Sequence, residues 1–214
     1  RVTPKGKTKA GRRKIQRPET TNHQTLMRQI FIVISLVLFV LPMQTKAQDY
    51  LFEEAFQKIT AMHDNDSLYS FKDAVFTVEN AYYQGALDMN FIIHRIEFLT
   101  EVSKNIIKSR KLKDYQFSDE LTVLKSSALY SVMRDSLQIV RNDESYTYIP
   151  FEYDFEDIWG HNDWSNMFVA KLLYSNKGNC HSLPYLYKIL AEEIGVKAHL
   201  ALAPNHIYIK QRNQ

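Results

Sequence analysis

The sequence predicts an α+β fold: a helical region over 48–142, then a smaller helix-and-strand region over 143–214. Three observations carry this. Apolar residues recur three and four apart from residue 50 to about 141, the period of helices with one buried face. A glycine-bearing turn at 177–179 then breaks the chain ahead of a further apolar stripe. From Lys197 onward apolar and polar residues alternate, as they do in strands.

Residues 1–26 are basic and polar, with Lys5, Lys7, Lys9, Arg12, Arg13, Lys14 and Arg17. Met27-Arg28-Gln29 leads into the apolar run 30–41, followed by Pro42 and Thr45-Lys46-Ala47-Gln48. A charged stretch, a short apolar stretch and a small residue at the cut is the order of a secretory signal peptide. The run is about a dozen residues long, and crossing a bilayer takes roughly 20. Residues 27–47 are therefore expected to be a signal peptide cut at Ala47. Met27 is then the natural start, and 1–26 is a basic leader outside the mature protein. The alternative is an uncleaved membrane anchor through 30–41 with a basic cytoplasmic tail. On either reading the rest of the chain is exported, to the periplasm or beyond the cell.

Removing the leader reverses the charge. Ten of the 27 Lys and Arg and one of the 24 Asp and Glu lie in 1–47. The remaining 17 and 23 give 48–214 a formal charge of −6, against +3 for the whole chain. An acidic exported domain has no electrostatic reason to bind nucleic acid.

The elements follow in order. Leu51, Phe52, Ala55, Phe56, Ile59 and Met62 stripe a first helix. Ser70, with Asp73 three residues on, caps a second that carries Ala74, Val75, Val78, Ala81 and Tyr82. A longer helix follows Asp88, with Phe91, Ile92, Ile96, Leu99, Val102 and Ile106. Ser118-Asp119-Glu120 is predicted to cap another, which is expected to run through Leu137 and Val140. Each stripe is read as packing. Residues 142–163 read as loop, with Pro150 and a run of aromatics and acids. Its carboxylates, Glu152, Asp154, Glu156 and Asp157, are read as a solvated loop face. Its aromatics, among them Tyr153, either line a groove or cover the core. A helix is predicted from about Ser165 to Tyr174. Cys180 opens the next, with Leu183, Leu186, Tyr187, Leu190 and Ile194 inward and Gly195 as its cap. Strands over 197–203 and 206–210 flank a Pro204-Asn205 turn. Two strands with an open edge do not complete a domain, so a C-terminally incomplete chain is expected.

Cys180 is the only cysteine, which excludes an intramolecular disulfide. An unpaired thiol in an exported chain is a candidate reactive group. At a helix start it is drawn toward thiolate by unpaired N–H groups. His206 opens a strand 26 residues further on. His181, beside the cysteine, is expected to point about 100° around the helix from it and so to be a poor base. His63, His94, His161 and His199 have no metal-ligand spacing and are read as non-ligands.

Gly178-Asn179-Cys180-His181-Ser182-Leu183, the helix ending Leu190-Ala191-Glu192-Glu193-Ile194-Gly195, and Pro204-Asn205-His206-Ile207-Tyr208 together resemble the transglutaminase-like superfamily. The resemblance covers about 164–214. It implies a papain-like α+β core, here partial, in which the cysteine helix packs on antiparallel strands. It also implies Cys180 as nucleophile, His206 as base, and an Asp or Asn beyond Gln214 as the third member. The implied chemistry is amide hydrolysis or acyl transfer on a protein or peptide, with no metal or organic cofactor. The thiolate attacks a carbonyl while the imidazole moves the proton. The Cys180 N–H would stabilise the oxyanion, with a second donor from 159–166, where Trp164 and Asn166 are the candidates. The alternative is a binding or scaffold module that keeps the fold without turnover.

Overall fold

A computed structural model describes residues 20–65 and 69–211, with backbone alone at 20–25 and 36–48. The expected basic leader thus falls outside the described residues up to residue 19. The chain divides into two units, Arg1–Lys46 and Ala47–Gln214. In the first, Thr20 begins helix α1 (Thr20–Asp64), and the side chains over 26–35 are exposed. Among the described residues no helix is long and apolar enough to cross a membrane.

The second unit is α+β. After α1 come α2 (Phe71–Tyr82), α3 (Met89–Ser109) and α4 (Glu120–Arg134). Their starts follow from the capping residues. The Ser70 hydroxyl accepts the Asp73 N–H at 3.2 Å, and Asp88 Oδ1 accepts the Phe91 N–H at 3.0 Å. Asp119 stands at the start of α4 without capping it; its carboxylate accepts the Tyr115 hydroxyl at 2.6 Å.

The predicted continuation of α4 through Leu137 and Val140 is not what forms. The helix stops at Arg134, and β1 (Leu137–Arg141) pairs antiparallel with β2 (Glu144–Tyr148). Asn142 and Asp143 both take left-handed φ, 51° and 64°, which makes the two-residue turn whose twist suits a hairpin. Tyr148 folds back onto α4, its hydroxyl donating to the Val132 carbonyl at 2.8 Å. The stretch read as loop therefore holds β2 and also β3 (Glu152–Tyr153). The single helix expected from Ser165 is split into a 3₁₀ turn (Trp164–Met167) and α5 (Val169–Ser175). Phe168 sits between them in extended backbone.

Three elements close the chain's description: β4 (Lys177–Gly178), α6 (Ser182–Glu193), and the hairpin β5 (His199–Ala203) and β6 (His206–Lys210). As expected, α6 ends at a left-handed glycine. The N–H of Gly195 (φ +66°) bonds Glu192 O and that of Val196 bonds Ala191 O. The strands form three separate pairs: β1–β2 and β5–β6 antiparallel, β3–β4 parallel. The antiparallel partner of α6 is thus the β5–β6 hairpin, with Ala203 opposite His206. Ala198 is buried under it, but the hairpin tip stands clear of the core and leaves Leu202 79% exposed.

One core joins these layers. Ile92 and Leu99 of α3, Leu129 and Val132 of α4, Leu172 of α5, and Leu186, Ile189 and Leu190 of α6 are all fully enclosed. At roughly 1.5–3 kcal/mol per enclosed aliphatic side chain, this contact fixes where α6 starts and so where its first turn lies.

Candidate active site

The turn that carries Cys180 is tied down before α6 begins. β3 meets β4 with Glu152 opposite Lys177 and Tyr153 opposite Gly178. The Glu152 N–H reaches Asn176 O and the Asp154 N–H reaches Gly178 O, both at 2.8 Å. Asn179 is wholly buried and fully bonded. Its N–H donates to Ser182 Oγ at 3.0 Å, its Oδ1 accepts the His181 N–H at 2.9 Å, and its Nδ2 donates to Ile158 O at 3.3 Å. Ser182 Oγ in turn donates to Asn166 O at 2.9 Å. Buried polar groups satisfied in this way hold a turn to one geometry.

Cys180 lies in this turn, just before the helix, because α6 starts at Ser182 with His181 at its cap position. It is 4% exposed, yet it lines a cavity of about 290 Å³. His206 lines the same cavity from the start of β6, with Tyr208 stacked near it at 6.4 Å between ring centres. The two residues singled out in the sequence therefore share one concavity. Arg134 and Tyr153 share it too, on walls that are otherwise mainly apolar.

His181 is placed differently from the sequence expectation. Its Nδ1 is 3.8 Å from Cys180 Sγ. The expected rotation away assumed that both residues were helical, and the turn removes that assumption. Burial, and then repulsion from His206, hold the His181 imidazole below its ordinary 6.5, so it is mostly neutral at pH 7.

Tyr153 is the site residue that sequence reasoning missed. Burial, the charge of the Cys180 sulfur and a hydrogen bond with it raise the tyrosine hydroxyl above its ordinary value; the Cys180 backbone N–H, bonding the same hydroxyl, pulls it back. Tyr153 was one ring in an aromatic run, and only its pairing with Gly178 brings it to the cysteine.

Of the two candidates for a second oxyanion donor, Asn166 is engaged elsewhere and Trp164 does not line the Cys180 cavity. Asn166 Nδ2 donates to Asp157 Oδ2 at 3.1 Å and to Asp157 O at 3.4 Å, and its Oδ1 accepts from Lys171. Trp164 lines another cavity, with His181, Glu79 and Tyr185. Among the acids, Asp157 organises its own loop by accepting the N–H groups of His161, Asn162 and Asp163. Burial opposes its ionisation, but these bonds outweigh it and lower its pKa. Among the described residues no group of three or more His, Cys, Asp and Glu could hold a metal ion.

No protein-family model, curated protein or solved structure matches the chain.

Proposed function

We propose that this chain is an exported, transglutaminase-like protein that hydrolyses or transfers an amide of a protein or peptide through a cysteine. Cys180 is the nucleophile and His206 the general base. The observation that supports this most directly is the shared cavity: Cys180 and His206, 26 residues apart in the chain, line one concave surface. A papain-like core around α6 and the β5–β6 hairpin belongs to the same proposal; the three small strand pairs support the α+β class, not that core in particular.

In the reaction, His206 takes the thiol proton as Sγ attacks the amide carbonyl. The new C–S bond forms a tetrahedral oxyanion. His206 then gives the proton to the departing nitrogen, the C–N bond breaks, and a thioester remains. Water or an amine attacks that thioester, with His206 again taking the proton, and restores the thiol. His181, whose Nδ1 lies 3.8 Å from Sγ, positions the thiol. As the carbonyl enters, the Cys180 N–H and the Tyr153 hydroxyl give up the bond between them and both donate to the oxyanion, Tyr153 taking the place expected for Trp164 or Asn166.

Labelling of Cys180 by iodoacetamide at neutral pH tests the reading. His206→Ala is expected to slow labelling by about a hundredfold with the circular dichroism unchanged. Equal rates in wild type, His206→Ala and His181→Ala would end the catalytic reading and leave a binding module.

A further inference from the structure

A second concavity shares no lining residue with the Cys180 cavity. It opens where α3, the β1–β2 hairpin and the turn after α5 meet, and measures about 450 Å³, within the usual range for a small-molecule site. Arg95 is one of its lining residues and is held in place. Arg95 Cζ stands 5.7 Å from the Phe98 ring centre and 5.9 Å from that of Tyr148, while its Nη2 donates to Asn176 Oδ1 at 3.1 Å. Tyr148 is itself buried and anchored to Val132 O, so the guanidinium rests on fixed rings.

Arg141, on β1, lines the same cavity. Its register partner across the hairpin is Glu144, whose carboxylate instead accepts the Tyr146 hydroxyl. Among the described residues, neither Arg95 nor Arg141 has a carboxylate within 4.0 Å. This is in a region, 48–214, with a formal charge of −6. Two guanidiniums with no carboxylate partner among the described residues, one held beside the Phe98 and Tyr148 rings, line one cavity and suit an oxyanion.

We propose that this cavity binds a small organic anion, a carboxylate or phosphate carried on a flat apolar body. Arg95 and Arg141 take the oxyanion, and Tyr146 and Tyr148 take the body. The site stands independently of the chemistry proposed for Cys180.

Calorimetric titration of the full chain with phenylacetate and phenyl phosphate tests this, with acetate and phenylacetamide as controls. At least one of the two aromatic anions is expected to bind with Kd below about 1 mM, and the tighter one identifies the natural head group. Acetate and phenylacetamide should each bind about tenfold more weakly, since one lacks the body and the other the charge. Arg141→Gln, an exposed position, should weaken the tighter probe about tenfold, and Arg95→Lys should do likewise by removing the planar fork. If Arg95→Lys loses its circular dichroism signal, Arg141→Gln decides alone. Failure of both aromatic anions to bind overturns the proposal. So does phenylacetamide or acetate matching them, or unchanged binding in Arg141→Gln.

Discussion

At Gly178 an added methyl group would lie 2.3 Å from Ser182 Oγ and 3.0 Å from Leu172 Cδ1. Ser182 cannot move aside freely, because its hydroxyl bridges Asn179 N–H and Asn166 O. Gly178→Ala is therefore expected to cost about 2 kcal/mol or more, read as a lower urea midpoint. Gly195 offers a contrast: its φ is +66°, but the nearest atom to a new methyl is Lys125 Nζ at 3.6 Å. Gly195→Ala should cost only about 1 kcal/mol, from backbone conformation alone. Tyr153→Phe deletes one hydroxyl. If that hydroxyl is an oxyanion donor, turnover of an amide substrate should fall about 100- to 1000-fold with little change in thermal midpoint; unchanged turnover would remove Tyr153 from the mechanism. Cys180 and His206 could be singled out as candidates because each sits in a short local motif, and both line one cavity. Tyr153 and the true placing of His181 were not legible. The first depends on a strand pairing across the 154–176 stretch, and the second on α6 beginning one residue beyond His181.

Among the elements, the joint between α2 and α5 carries the clearest pH signature. Glu79 of α2 is buried and accepts the N–H groups of Val169 at 2.7 Å and Ala170 at 2.8 Å, the open first turn of α5. Burial raises it to about 7 from 4.5, against the pull of those two bonds. A carboxyl raised on folding binds its proton more tightly in the folded state. Its contribution is thus complete below pH 4.5 and lost as pH rises through 7. Relative to Glu79→Gln, wild type should lose on the order of 3 kcal/mol between pH 4.5 and 7.5, measured by urea unfolding at each pH. A flat difference would show that the two N–H bonds already hold the carboxylate ionised. The cap at Ser70 could be read in advance because capping is local. The cap expected at Ser118-Asp119-Glu120 has no side-chain bond, because the Asp119 carboxylate takes the Tyr115 hydroxyl instead. The β1–β2 hairpin could not be read from apolar spacing, since Leu137 and Val140 stand three apart and suit a helix as well. The signal that could have found it is Asn142-Asp143, a turn pair able to take positive φ, between Leu137-Gln138-Ile139-Val140 and Ser145-Tyr146-Thr147-Tyr148.

For the molecule as a whole, the division at Lys46 and Ala47 makes a direct prediction. A fragment beginning at Ala47 should unfold in one transition with a midpoint close to that of the full chain, because the apolar core formed by the described residues lies within 47–214. It should also focus as an acidic protein, although the full chain has a pI near 8.8. A fragment that fails to fold would show that the first unit contributes to stability. The overall α+β class was legible from periodicity; the assembly of three separate strand pairs was not, because pairing is set by contacts distant in sequence. The two-residue parallel bridge between β3 and β4 has a kinetic corollary. Its halves are separated by the whole 154–176 stretch, so the turn that carries Cys180 cannot be set until that loop closes. Non-local closure follows helix formation. In a pulse-labelled refolding experiment, the amides of Glu152 and Asp154 should gain protection after those of α3 and α4. Simultaneous protection would mean that the sulfur is positioned as early as the helices themselves.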